Sequence, residues 1–153
     1  GHSENRINGD TNKIINQKIR SSLKEKLKVI FCIGESLKEK KNKKTNLVLN
    51  QQIKNGLKNI KKLNKIIFAY EPVWSIGTGI IPKFNDLENQ VKEIKIFIKK
   101  TYKVKNPIVL YGGSVNPKNI SSLKEITSIN GFLIGGASQN SKKFIDIIKK
   151  TIN

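Results

Sequence analysis

Apolar residues along this chain fall into two patterns, short continuous runs and stripes with helical spacing. Continuous runs are typical of strands that are buried on both faces, as in a parallel sheet. Stripes that repeat every three or four residues are typical of helices that bury one face. The continuous runs lie at residues 29–33, 66–70, 108–111 and 132–134.

Helical stripes alternate with these runs. Asn85 or Asp86 is expected to cap the third striped helix, and Asn140 or Ser141 the last. One helix followed by four strand–helix units predicts a single α/β domain over residues 1–153, with a parallel sheet and right-handed crossovers. The stripes consist of Ile15, Ile19, Leu23 and Leu27, then Leu49, Ile53 and Leu57, then Leu87, Val91, Ile94 and Ile98, and finally Phe144, Ile148 and Ile152.

Chemically distinctive loops follow all of the predicted strands. They read Gly34-Glu35, Glu71-Pro72-Val73-Trp74, Gly112-Gly113-Ser114 and Gly135-Gly136. In a (β/α) barrel the carboxyl ends of the strands form the working face, whereas an open doubly wound sheet concentrates its site at one switch point. Distinctive residues after every strand therefore favour the barrel.

The formal net charge of +19 raises the question of a nucleic-acid or membrane-surface role. All but two of the 30 Lys and Arg residues are lysines. They are spread along every predicted helix, without the interleaved aromatic residues that nucleic-acid grooves use. The dense run at residues 38–44 is typical of a solvated surface. We therefore expect no nucleic-acid partner, and a basic nucleic-acid-binding module is the rival class that rests on charge alone.

Cys32 is the single cysteine and lies inside an apolar run. An internal disulfide is therefore impossible, which favours a reducing compartment. We predict a cytoplasmic protein in which Cys32 packs in the core. No stretch approaches the roughly 20 apolar residues of a membrane span, so no membrane partner is expected.

Glycine-rich loops after the last two strands are candidates for a phosphate site. Glycine lets the backbone approach an anion closely and point its amides at it, and barrels often build such a site in this place. A tight strand-to-helix turn explains one such loop equally well, but the pair on adjacent strands favours phosphate binding. The chain has no GxxxxGK motif, which excludes a nucleotide P-loop.

Glu71 stands at the end of the second strand, within the segment AYEPVWSIGTG. It is either a solvated loop acid or a general base. Pro72 restrains one end of the segment that follows, while Gly77 and Gly79 let its tip fold over, as in lids that exclude water from a reactive intermediate. This order favours a base that works beneath a closing cover. His2, the single histidine, is by itself typical of a surface residue.

Five segments in order, GHSE, VIFCIGE, AYEPVWSIGTG, YGGSVNP and GFLIGGAS, closely resemble motifs of the triosephosphate isomerase family. The resemblance spans Gly1 to about Ser138. It implies the C-terminal part of a (β/α)8 TIM barrel, from the end of its fourth strand through its eighth strand and final helix. It also implies an isomerase of glycolysis and gluconeogenesis, without cofactor or metal, that interconverts dihydroxyacetone phosphate and glyceraldehyde 3-phosphate.

The resemblance assigns roles residue by residue. Glu71 matches the base that moves a proton between two substrate carbons, and His2 matches a neutral imidazole that polarises the carbonyl, which is the scheme known for the family. Glu4 matches a nearby structural acid. Cys32 and Glu35 match a supporting segment, in which Glu35 lies near the hinge tryptophan.

A lid and a phosphate site are implied in the same way. Tyr111 and Ser114 match residues that latch the closed lid. The residues that match the lid and its first hinge are Pro72, Val73, Trp74, Ser75, Ile76, Gly77, Thr78 and Gly79. The residues that match the phosphate-binding backbone are Gly77, Ser114, Gly135 and Gly136.

The chain departs from the family pattern in three respects. Asn5 stands where the family usually has an arginine, which loosens an ion-pair network near His2, and the second hinge at 80–82 lacks a frequent lysine. The family's chain is also longer at its start. A substrate-binding asparagine and lysine and the loop that interlocks the homodimer are expected in that part, so this segment alone is expected to be inactive. Another phosphate-binding barrel enzyme is the alternative, which the lid motif disfavours.

Overall fold

Strands and helices alternate in the computed structural model, which describes residues 1–152. The helices are α1 (Ser3–Ile7), α2 (Asn12–Lys24), α3 (Leu37–Lys41), α4 (Thr45–Gly56), α5 (Phe84–Tyr102), α6 (Ile120–Leu123) and α7 (Ser141–Ile152). The strands are β1 (Val29–Ile33), β2 (Ile66–Tyr70) and β3 (Val109–Tyr111), and short 3₁₀ turns occupy Val73–Ser75 and Gly136–Gln139. Among the helices of residues 1–152, none combines the length and apolar character that crossing a bilayer requires.

The three strands form a parallel sheet in the order β1, β2, β3. β1 pairs with β2 from Val29 opposite Ile66 to Ile33 opposite Tyr70, and β2 pairs with β3 on its other side. The parallel α/β sheet that the alternating pattern predicted is therefore confirmed. Because the strands point the same way, the loops that follow them meet at one end of the sheet.

The predicted fourth strand is reduced to one parallel bridge, between Phe132 and Tyr111. The Leu133 amide donates to the Tyr111 carbonyl at 2.9 Å, so this segment lies beside β3 without continuing into a ladder. Gly135 then leads into a 3₁₀ turn, and within residues 1–152 no strand pairs with the outer side of the segment. The described part of the chain is an open sheet, and a closed barrel is not observed in it.

Side chains of β1, β2, α2, α4 and α5 share one core. Phe31 and Phe68 lie at its centre with ring centroids 6.0 Å apart. The predicted stripes of α4 and α5 are buried along their length. The prediction for Leu27 is wrong, because α2 ends at Lys24 and leaves this side chain 57% exposed.

Helix α7 buries a different face from the one its stripe predicted. Ile147 is buried, whereas Phe144, Ile148 and Ile152 are exposed. These three side chains line one wall of an apolar groove of about 490 Å³, with Phe132 on its other side. The stripe marks an apolar face correctly, but nothing in residues 1–152 covers most of that face.

The predicted caps have different outcomes at the two helices. The Asn140 side chain accepts from the Lys143 amide at 3.0 Å, so the cap of α7 is confirmed. The prediction for α5 is wrong, because the helix already begins at Phe84, after Lys83, and has no side-chain cap. Asn85 and Asp86 therefore lie inside the first turn.

Candidate active site

Glu71 and His2 meet at the carboxyl end of the sheet. Glu71 follows the last residue of β2 and is only 3% exposed, and its amide donates to the Ile33 carbonyl of β1 at 2.8 Å. His2 directly precedes α1 as its N-cap residue. The two side chains approach to 3.8 Å, between Nε2 of His2 and Oε1 of Glu71.

The hydrogen bond at the other nitrogen of His2 determines its tautomer. Nδ1 accepts from the Glu4 amide at 3.3 Å. An imidazole nitrogen that accepts a hydrogen bond carries no proton, so the proton of this ring lies on Nε2. The N–H of His2 is therefore on the side that faces Glu71. The Glu4 carboxylate itself is exposed and lies 3.9 Å from Nδ1.

Two glycines make room for Glu71. A Cβ atom at Gly34 would lie 1.8 Å from the Glu71 carbonyl oxygen, and a Cβ atom at Gly112 would lie 2.8 Å from Cγ of the Glu71 side chain. Real Cβ atoms do not approach other atoms so closely, so both positions require glycine, which has no side chain. Glu71 is thus packed between two loops, its backbone against the loop that follows β1 and its side chain against the loop that follows β3.

Burial governs the ionisation of the site. Desolvation raises the pKa of Glu71 above its usual range, although the nearby His2 opposes the shift. Oε2 of Glu71 is buried and has no hydrogen-bond partner within residues 1–152. Burial, together with the charge of Glu71, raises the pKa of the Cys32 thiol to about 12. Cys32 is thus a buried neutral thiol, as its place in an apolar run predicted.

A second buried carboxylate, that of Glu35, contacts the 3₁₀ turn Val73–Ser75. Glu35 accepts from the indole Nε1 of Trp74 at 2.9 Å and from the Tyr70 hydroxyl at 3.2 Å. Burial raises the pKa of Glu35, while these two donors and the ammonium of Lys40 oppose the shift. Lys40 also lies over the Trp74 ring, with Nζ 3.7 Å from its centroid. The 3₁₀ turn is therefore held through Trp74, whose indole contacts Glu35 at its N–H and Lys40 over its ring.

The segment 72–80 folds over the end of β2 and contacts the loop after β3. The Gly79 amide donates to Oγ of Ser114 at 3.0 Å. The Ser75 hydroxyl lies 3.0 Å from that of Tyr111. Gly77 and Gly79 have φ angles of 69° and 76°, which side chains rarely adopt. The glycine tip is thus docked on the residues that the family resemblance paired with it.

Gly135 and Gly136 lie at the open end of the last loop. A Cβ atom at either glycine would meet nothing within 4 Å. The Gly135 carbonyl accepts from the amide and the hydroxyl of Ser138, which stabilises the 3₁₀ turn. These two positions therefore face open space, where a ligand can approach the backbone.

The family model described as Triosephosphate isomerase matches residues 1–151. The chain belongs to the triosephosphate isomerase family. Relatives of that name include proteins from Thermodesulfovibrio yellowstonii, 44% identical over 156 residues, Amoebophilus asiaticus, 41% identical over 155 residues, and Candida albicans, 39% identical over 156 residues. These alignments cover 97–99% of this chain but 61–62% of the relatives, so the chain spans about three fifths of their length.

In this triosephosphate isomerase family member, Arg6 holds the histidine segment, a role that sequence reasoning missed. Its guanidinium donates to the Gly1 carbonyl at 2.8 Å, to the Asn12 side chain at 2.8 Å and to the Cys32 carbonyl at 3.4 Å. Three bonds from one rigid fork fix Gly1 beside β1, and with it the adjoining His2. One signal was available, since Arg6 is one of only two arginines in a lysine-rich chain.

Gln52 on α4 is a second residue that the sequence did not reveal. Its amide group accepts from the Gly34 amide at 2.9 Å and donates to the Gly34 carbonyl at 2.8 Å. Gln52 thus fixes the backbone of Gly34, against which the backbone of Glu71 packs. No spacing rule connects a helix residue to a glycine on the preceding loop, so no sequence signal could have identified it.

Proposed function

We propose that these residues carry the base, the histidine, the lid and the phosphate loops of a triosephosphate isomerase that interconverts dihydroxyacetone phosphate and glyceraldehyde 3-phosphate. Membership of the family supports this activity. The observation that carries the proposal is the buried carboxylate of Glu71, whose Oε2 has no hydrogen-bond partner within residues 1–152 and whose Oε1 lies 3.8 Å from Nε2 of His2. A buried carboxylate oxygen without a partner lowers stability, and ionisable groups in such surroundings are often functional.

In the proposed reaction, Glu71 accepts a proton from the substrate carbon that bears hydrogen next to the carbonyl. The C–H electron pair forms the enediolate double bond, and the carbonyl oxygen gains negative charge. The N–H on Nε2 of His2 donates to that oxygen and stabilises the charge. His2 gives the Nε2 proton to the former carbonyl oxygen and takes up the proton of the neighbouring hydroxyl group, so that oxygen becomes the new carbonyl while Glu71 returns its proton to the former carbonyl carbon, which produces the isomer. The raised pKa of Glu71 makes it a stronger base for this step.

The substrate phosphate is proposed to bind the backbone amides of Gly77, Gly135 and Gly136 and the hydroxyl of Ser114, whose own amide donates to Oγ of Ser75. Three features support this. The last two glycines face open space. Gly77 belongs to the docked tip, and Ser114 accepts a hydrogen bond from that tip. A lid held against the phosphate site would exclude water from the enediolate.

The complete enzyme is proposed to comprise these residues together with the remaining two fifths of the relatives' length. We expect that part to supply the substrate-binding asparagine and lysine and the contacts of a cytoplasmic homodimer. The open sheet and the uncovered apolar face of α7 support this proposal. Residues 1–153 alone are accordingly proposed to be inactive.

Turnover of the complete enzyme with Glu71→Asp tests the assignment of the base. The shorter side chain retracts the carboxylate by one methylene group, and misplacement on this scale costs on the order of 100-fold in rate. Glu93→Asp, at an exposed position of α5, is the matched control and should retain normal turnover. Near-normal turnover of Glu71→Asp would remove Glu71 from the mechanism.

A further inference from the structure

Ser75 is the centre of a buried hydrogen-bond cluster between the lid and the sheet. Its side chain is completely buried, with 0% exposure. Its hydroxyl donates to the Ile80 carbonyl at 2.6 Å, lies 3.0 Å from the Tyr111 hydroxyl and accepts from the Ser114 amide at 3.3 Å. One small side chain therefore contacts three residues, Ile80 in its own segment and Tyr111 and Ser114 at the end of β3 and in the loop that follows.

The three partners of Ser75 lie in the two parts of the structure that must be joined when the lid is docked, the lid segment itself and the end of β3 with its loop. Ser75 ends the 3₁₀ turn of the first hinge, and Ile80 follows the glycine tip, so their bond closes the lid segment on itself. Tyr111 ends β3 and Ser114 lies in the loop that follows, so their bonds join the closed segment to the sheet. Ser114 also accepts from the Gly79 amide, which adds a second attachment nearby.

Gly113 packs closely against the hydroxyl groups of Ser75 and Tyr111. A Cβ atom at Gly113 would lie 2.6 Å from Oγ of Ser75 and 2.2 Å from the Tyr111 hydroxyl. Gly113 thus provides the space in which the two hydroxyl groups meet. A hydroxyl that is fully buried and fully bonded is costly to remove, because its partners then lose a bond without gaining water.

We propose that the Ser75 hydroxyl is the positioning group that holds segment 72–80 docked on the loop after β3, beyond the contacts of Tyr111 and Ser114 implied by the family resemblance. The inference rests on the proposed function, in which this segment covers the substrate. Ser75 does not touch the reacting atoms. It acts by raising the fraction of molecules whose lid is docked, and ligand affinity falls in proportion when that fraction falls.

Ser75→Ala in the complete enzyme tests the proposal, with Ser128→Ala as the matched control. Ser128 is also a buried serine whose hydroxyl donates to a backbone carbonyl, that of Glu88 at 3.2 Å, but it lies away from the lid. The probe is glycerol 3-phosphate, which carries the phosphate of the substrate but no carbonyl and so cannot react. We expect Ser75→Ala to weaken its binding about tenfold, as the loss of a buried hydrogen bond predicts, and Ser128→Ala to leave it unchanged.

Fluorescence quenching gives a second readout that does not depend on catalysis. Trp74, the single tryptophan, lies next to Ser75 in the first hinge. Acrylamide should quench its emission more strongly in Ser75→Ala than in the wild type or in Ser128→Ala, because an undocked hinge exposes the indole. Equal quenching and equal affinity in the two alanine variants would overturn the proposal.

Tyr111→Phe keeps the test decisive if Ser75→Ala does not fold. It removes one partner of Ser75 and leaves the bonds to Ile80 and Ser114. The expected loss of affinity is smaller, about threefold, in the same direction. Wild-type affinity in Tyr111→Phe would contradict the proposal.

Failure of the proposed function has a different signature. A complete wild-type enzyme that does not isomerise either triose phosphate would overturn the function. The quenching comparison between Ser75→Ala and Ser128→Ala would still decide the role of Ser75.

Discussion

Nε2 of His2 lies 3.8 Å from Oε1 of Glu71, although His2 stands at the start of the chain and Glu71 follows the second strand. The hydrogen bond between Nδ1 and the Glu4 amide directs the N–H of the ring toward the carboxylate. A proton donor and a proton acceptor thus share one end of the sheet. A substrate bound beside the pair would have both groups within reach.

The pH dependence of kcat/KM should reflect the burial of Glu71. The base acts only when ionised, and desolvation raises its pKa. Activity should therefore be lost as the pH falls through a value above about 4.3, the usual pKa of a glutamate. Glu35→Gln is the control, because Glu35 is also buried with a raised pKa. An acid limb that moves with Glu35→Gln, or that lies at or below the usual value, would contradict the assignment.

Arg6→Lys should reduce turnover of the complete enzyme by about tenfold, because it preserves the charge but not the fork that holds Gly1, Asn12 and Cys32. The histidine would then be less well placed against Glu71. Arg20→Lys, at an exposed position of α2, makes the same chemical change away from the site. Steady-state kinetics of both variants test this prediction. Equal turnover in Arg6→Lys and Arg20→Lys would show that the guanidinium of Arg6 does not position His2.

Gly136→Val should weaken binding of glycerol 3-phosphate to the complete enzyme by more than about tenfold, since a branched side chain blocks close approach to the backbone amide. Nothing lies within 4 Å of a Cβ atom at this position, so the melting temperature should change little. Gly136→Ala should give an intermediate loss. Calorimetric titration measures the affinities, and unchanged binding in the valine variant would place the phosphate elsewhere.

Residues 1–153 produced alone should self-associate and show no isomerase activity. The outer edge of β1 has no strand partner within residues 1–152, and Phe144, Ile148 and Ile152 expose an apolar face on α7. Open strand edges and apolar faces favour association, while the net charge of +19 opposes it. Salt screens that charge, so sedimentation should show larger species as salt increases. A stable, active monomer would refute this prediction.

The sequence predicted the sheet well because its strands are marked by local composition. The runs that became β1, β2 and β3 are apolar throughout, and a distinctive loop follows each. The run at 132–134 is equally apolar but formed one bridge only, between Phe132 and Tyr111, so composition alone does not determine how far the pairing of a strand extends. Likewise, the stripe at Phe144 shows that a helix has an apolar face but not whether anything covers it.

The candidate site likewise contains some residues that the sequence reveals and others that it does not. Motif order made Glu71, His2 and the lid visible, because their residue types carry the resemblance. Arg6 and Gln52 act through side-chain bonds to backbone atoms far away in sequence, at Cys32 and Gly34. Such bonds depend on the folded path of the chain, so no local pattern reveals them.

The space around Glu71 has a consequence for inherited variation. The backbone of Glu71 depends on the absence of a side chain at Gly34, and its carboxylate on the absence of one at Gly112, and the two glycines belong to different strand-end loops. The position of Glu71 therefore depends on three codons that lie far apart in the gene, those of residues 34, 71 and 112. A missense change to alanine at codon 34 or 112 adds a single methyl group, yet it would displace Glu71 as surely as a change at codon 71 would replace it.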